Sequence, residues 1–152
     1  MKKMLDLAHE ENILVEKFDF APPLRGIYMC QPDSRPIIGL DVKLNSVVEE
    51  RSIMAEELGH HFTSVGYCVN RQFYNYSTRL RINKIEYKAL RWAANYLISD
   101  NALRDAFKQG LRRKNELAEY FRVVPSIMHI KLKLFEKILS FWLVISMTDM
   151  CF

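Results

Sequence analysis

The sequence predicts an α+β single domain, mostly helical, with a small antiparallel β-sheet beside one unusually polar helix. Three observations predict it. Ser46 to His61, SVVEERSIMAEELGHH, opens on a helix-start signal and carries apolar residues at helical spacing. Phe18 to Leu44 is punctuated by Pro22, Pro23, Gly26, Pro32, Pro36 and Gly39 into short runs of strand character. From Asn83 to Phe141 the apolar residues recur with a helical period. A chain of 152 residues suits one domain with at most a small appendage. The expected division is a domain over 1–135 and an apolar C-terminal tail over 136–152.

In chain order, Met1 to Lys17 reads as a helix, with Met4, Leu5, Leu7, Ala8, Ile13, Leu14 and Val15 as its apolar residues. His9 falls among acids and reads as a surface residue. Gly26 to Cys30 and Ile37 to Val42 read as strands joined through the turn-rich Gln31–Arg35 segment, an antiparallel hairpin. Ser46 with Glu49 three residues later is a capping-box pattern, so the next helix starts there and spans 47–62. Its apolar stripe is Val47, Ile53, Met54, Leu58 and Phe62.

Gly66 suits a stop after that helix, and Tyr67 to Arg81 reads as an irregular, aromatic-rich loop that packs over the core or lines a cleft. Asn83 to Ile98 is the strongest helix, with Ile82, Ile85, Ala89, Trp92, Ala93, Tyr96 and Leu97 on the buried side. Asp100 to Gln109 reads as another, stopped by Gly110. Lys114–Phe121 and Ser126–Phe141 form a further pair, divided before Pro125. Short helices with tight connections also allow a helix-turn-helix reading of 102–135. His129 reads as structural.

The formal net charge is +4, with the basic surplus around Lys84, Lys88 and Arg91 and again around Lys108 to Lys114. A solvated helix face accounts for such clusters, and nucleic acid is not expected as the primary partner. Cys30, Cys68 and Cys151 are far apart and form no CxxC, which excludes a disulfide framework and a cysteine-rich zinc module. The N-terminus lacks the apolar run of a secretory signal. Ile138 to Met147 is too short for the roughly 20 residues of a spanning helix. No membrane association and a cytoplasmic location are the expectations.

Candidate chemistry lies in Glu56, Glu57, His60 and His61, four ionisable groups beside an apolar stripe. Desolvating them calls for a partner. Residues four apart share a helix face, which pairs Glu56 with His60 and Glu57 with His61. In the zinc-peptidase pattern HExxH, histidines four apart hold the metal and the Glu after the first is the base. Over Glu56-Glu57-Leu58-Gly59-His60 the base position is Glu57 and the second ligand position is His60. Glu56 stands at the first ligand position, where a carboxylate can also coordinate zinc. The competing reading is a solvated face whose histidines are favoured by the C-terminal end of the helix dipole.

Met54-Ala55-Glu56-Glu57-Leu58-Gly59-His60-His61, taken with Glu86-Tyr87-Lys88-Ala89-Leu90-Arg91-Trp92-Ala93 and the following Leu97-Ile98, resembles the ImmA/IrrE family of zinc metallopeptidases. That family pairs an AxELGHH helix with a later ExxAxxFA or ExxAxxWA helix, usually closed by Pro. Ser99 takes the place of that Pro here. The resemblance spans about residues 10–135.

It implies a zincin-like fold, with Glu57 as general base and His60 and Glu86 as metal ligands. Glu56 is either a third ligand or leaves the set to His60 and Glu86 with help from His61 or a shifted ligand. The implied cofactor is Zn²⁺, or Mn²⁺ if a second carboxylate makes the site harder. The implied activity is a zinc-dependent metallo-endopeptidase (a hydrolase), and the implied substrate a helix-turn-helix repressor of a prophage or mobile element, with this protein as its anti-repressor. The alternative is a non-catalytic regulatory module that binds protein or DNA and keeps a degenerate metal site.

Overall fold

A computed structural model describes residues 1–63 and 76–148, with side chains described over 1–63 and 84–137. The first helix, α1, is Lys2–Glu10, and it buries Met4 and Ala8. It ends well before the Lys17 that the apolar pattern suggests. Asn12 has φ 54°, a left-handed conformation that Asn tolerates better than most residues. Arg35 holds the turn by donating from Nε to the Asn12 carbonyl at 2.9 Å and from Nη2 to that of Ile13 at 3.3 Å. The chain then continues as strand β1, Leu14–Phe18. The apolar residues 13–15 had been counted toward a helical period, whereas they enter a sheet.

Strands β2, Gly26–Met29, and β3, Ile37–Asp41, form the expected antiparallel pair, with Tyr28 opposite Ile38. The sheet as a whole is mixed, because β1 adds parallel to β3 on its other side and gives the order β1-β3-β2. Among the described residues β2 is therefore an edge strand. One face of β3 buries Ile38 and Leu40 in the core. On the other, Gly39 leaves room for Phe18 and Phe20, which stack at 5.6 Å; an added Cβ would lie 2.8 Å from Phe18.

Helix α2, Val47–Thr63, crosses the core face of this sheet. The Ser46 hydroxyl accepts from the Glu49 N–H at 3.4 Å, which is half of the capping box. Met54, Ala55 and Leu58 are fully buried, but Val47 and Phe62 are exposed, so the buried stripe is shorter than the spacing implies. Two ion pairs tie the first turns to the sheet. Arg25 bridges Glu49 and the buried Asp41, and Lys17 meets Glu50. Ser52 is buried and accepts from the Val124 N–H at 3.1 Å, which fixes α2 to the start of the last helix.

Helix α3, Tyr76–Leu97, starts earlier than Asn83, so the end of the stretch read as an irregular loop is helical. Gly66 and the rest of that loop lie outside the described residues, as do Cys68 and Cys151. Ala89, Ala93 and Ala94 of α3 are buried, whereas Tyr96 is exposed. Ser99 caps α4, Asp100–Lys108, by accepting from the Ala102 N–H at 3.2 Å. A Ser at that position thus starts the next helix with a side-chain acceptor, which a Pro lacks.

Helix α5, Lys114–Tyr120, ends through Arg122 at φ 52°, and Pro125 opens α6, Pro125–Thr148, where a missing N–H costs nothing. α6 continues unbroken across residue 136. Lys131 is buried and bonds Asn95 at 2.9 Å and Asp100 at 2.6 Å, joining α6 to α3 and α4. His129 is exposed. No described helix is long and apolar enough to cross a membrane.

α2 and α3 touch at Gly59, where an added Cβ would stand 2.4 Å from the Ala89 carbonyl oxygen. Gly59→Ala should therefore destabilise the protein by roughly 1–3 kcal/mol, the usual cost of overpacking. Urea unfolding checks this, and an unchanged midpoint would contradict the close approach.

Candidate metal centre

Glu56 and His60 are one turn apart on α2, and Glu86 stands on α3 one turn before Ala89. Contact at Gly59 and Ala89 brings the two helix surfaces together there. Glu56, His60 and Glu86 each offer a donor atom, and these atoms lie within 4.8 Å of one another. All three residues are partly buried. The His60 Nε2 to Glu86 Oε2 distance is 3.4 Å.

The charge around His60 is lopsided. Burial alone would lower its pKa, but the hydrogen bond with Glu86 and the charges of Glu57, Glu86 and Glu56 outweigh burial and raise it. A proton on His60 is thus stabilised by a surplus of carboxylates, and a divalent cation would meet the same surplus. Bonds of about 2.0–2.2 Å to nitrogen and carboxylate oxygen would let one ion join these donors after small side-chain adjustments. Two carboxylates and one imidazole fit zinc or the harder manganese.

Glu57 points to a different face of α2. It is 6% exposed and packs under β2, where a Cβ added to Gly26 would lie 3.0 Å from its Oε1 and 2.4 Å from Ile53 Cγ2. Gly26 is thus the opening that admits this carboxylate beneath the edge strand. Tyr28 shares that face of β2 by strand alternation. Its hydroxyl and the His61 Nδ1 are 2.9 Å apart, while His61 Nε2 is 3.4 Å from a Glu11 carboxylate oxygen.

Of the residues singled out in the sequence, the structure brings together Glu56, His60 and Glu86. Glu57 sits beside them, close enough for its charge to act on His60. His61 is not in the donor group, and both of its ring nitrogens face other partners. Tyr28, Glu11, Gly26 and Gly59 were not identified from the sequence. Strand alternation between positions 26 and 28 was the one available signal for Tyr28.

Residues 8–133 match a family model described as Peptidase M78, IrrE N-terminal-like domain. No curated protein matches the chain.

The raised His60 pKa sets a pH dependence in the metal-free protein. The folded state holds this proton more tightly than the unfolded chain does. Its contribution to stability is complete below the ordinary imidazole value of about 6.5 and is lost as pH rises through the raised folded value. An NMR titration of the metal-free protein should place the His60 midpoint above that ordinary value, and Glu86→Gln should lower it. A midpoint at or below the ordinary value would contradict the charge balance described.

Proposed function

Because the chain belongs to the Peptidase M78, IrrE N-terminal-like domain family, we propose that it is a metal-dependent endopeptidase acting in the cytoplasm, with zinc or manganese held by Glu56, His60 and Glu86. The observation that carries this reading is the convergence of three donor atoms from two helices, with the buried Glu57 carboxylate alongside. A divalent ion, when bound, supplies a Lewis acid that polarises a carbonyl and makes water nucleophilic near neutral pH. The chain's own residues do the rest.

Glu57 takes a proton from the attacking water on a carboxylate oxygen and passes it to the leaving amine. Its place under Gly26 puts that oxygen beside the edge strand β2. The outer backbone groups of β2 pair with an extended peptide, which fixes its direction across α2. Glu56, in place of the histidine of the HExxH pattern, adds a second negative ligand. Held by two carboxylates, a divalent ion would be a weaker Lewis acid, and slow turnover is expected. Slow turnover suits a regulatory protease with few substrates, and the substrate proposed is a helix-turn-helix repressor encoded by the same prophage or mobile element.

Glu56 also favours a second reading, a regulatory module that binds its partner without cutting it. Incubating the zinc- or manganese-loaded protein with the repressor encoded beside it, followed by mass spectrometry, separates the two. Cleavage at one or a few bonds is expected. Glu57→Gln should lower the rate by roughly 10²-fold or more, the scale of general-base catalysis, while fold and metal content are kept. Glu56→His should raise the rate. An intact repressor that forms a stable complex with both wild type and Glu57→Gln would establish the binding module instead.

A further inference from the structure

At the start of α2 Glu49 and Glu50 are paired with Arg25 and Lys17, whereas Arg51 faces a second arginine, Arg122. A half-open cleft of about 420 Å³ is lined there by Val47, Val48, Leu97 and Tyr120 together with Arg51 and Arg122. Its residues on α2, Val47 to Arg51, lie roughly 14–20 Å along the helix from His60, at 1.5 Å per residue. Its volume falls within the range of small-molecule sites. Val47 is 60% exposed and Tyr120 50% exposed, so the apolar wall is open to a ligand.

Arg51 is held in place. Its Nη1 donates to the carbonyl of Phe121 at 2.8 Å and to that of Arg122 at 2.9 Å, which closes the end of α5. One nitrogen is committed to these two acceptors. Burial and then the Arg122 charge push the Arg51 pKa down, with Tyr96 alone acting the other way. Among the described residues neither arginine forms an ion pair. Two cations thus share one cleft without a counter-charge, and an anion bound between them would relieve their repulsion. Planar guanidinium groups match carboxylate and phosphate oxygens in geometry.

We propose that this cleft binds a small organic anion, with a carboxylate or phosphate head between Arg51 and Arg122 and an apolar body against Val47, Val48, Leu97 and Tyr120. Such a ligand bridges the start of α2, the end of α3 and the end of α5. It is independent of the peptidase reading, because none of these residues belongs to the donor group.

The test is an amide NMR titration of the full chain with benzoate and with phenyl phosphate, using benzyl alcohol as the neutral control. Saturable shifts centred on residues 47–51 and 120–124 are expected for at least one anion, and the two arms show which head is preferred. Benzyl alcohol should bind at least ten-fold more weakly. Arg122→Gln, an exposed position, should weaken anion binding about ten-fold without lowering the melting temperature, and His60→Ala should leave it unchanged. Equal binding of benzyl alcohol, or anion shifts centred on 56–60 and 86, would overturn the proposal. So would absence of saturation by both anions, or anion binding unaffected by both Arg122→Gln and Arg51→Lys.

Discussion

The candidate centre depends on how closely α2 and α3 approach at Gly59 and Ala89. With no Cβ on Gly59, the Ala89 backbone can come within a distance that any side chain would prevent. The spacing between packed helices follows the size of the residues at their contact. His60 follows Gly59 directly and Glu86 precedes Ala89 by one turn. The helix contact therefore sets the 3.4 Å between imidazole and carboxylate. Gly26 plays the same part on the sheet side, where it lets Ile53 and Glu57 reach under β2. Two glycines, one facing a helix and one in a strand, hold α2 between its neighbours.

Charge is then distributed along α2 in two opposed groups. Toward the C-terminal end, Glu56, Glu57 and Glu86 surround a single imidazole and raise its affinity for a proton. Near the N-terminal end, Arg51 and Arg122 face a cleft with no carboxylate between them. Contacts of Arg25 with Asp41 and Glu49, and of Lys17 with Glu50, keep the acids of the first turn of α2 and of the sheet paired. Each group also joins elements, His60 meeting Glu86 across α2 and α3 and Arg51 closing the end of α5, yet each gathers charge of one sign. Both therefore read as places for a ligand of opposite sign, a divalent cation at one end and an organic anion at the other.

Much of this was legible in the sequence because the signals were local. The Ser46 cap and the spacing of Met54 and Leu58 placed α2 within a residue of its observed end, and Gly and Pro punctuation isolated the β2–β3 hairpin. Glu56 and His60 stood out in one helical motif and Glu86 through the family resemblance, and their donor atoms lie together in the structure. What was not legible depended on distant contacts. β1 looked helical because Ile13, Leu14 and Val15 extend an apolar pattern, and only Asn12 with the Arg35 guanidinium shows why the helix stops. The place of His61 depends on Tyr28 and Glu11, which are remote in sequence. Gly59 belonged to a recognised motif, but its need to be glycine appears only when α3 lies against it.

Metal content tests the central claim most directly. Elemental analysis of protein purified without added metal, with wild type beside His60→Ala, Glu86→Ala and Glu56→Ala, is predicted to find close to one zinc or manganese per wild-type chain. His60→Ala and Glu86→Ala should lose it, and loss in Glu56→Ala would establish that carboxylate as the third ligand. A folded wild-type protein that carries no metal and takes up neither added zinc nor manganese would contradict the account.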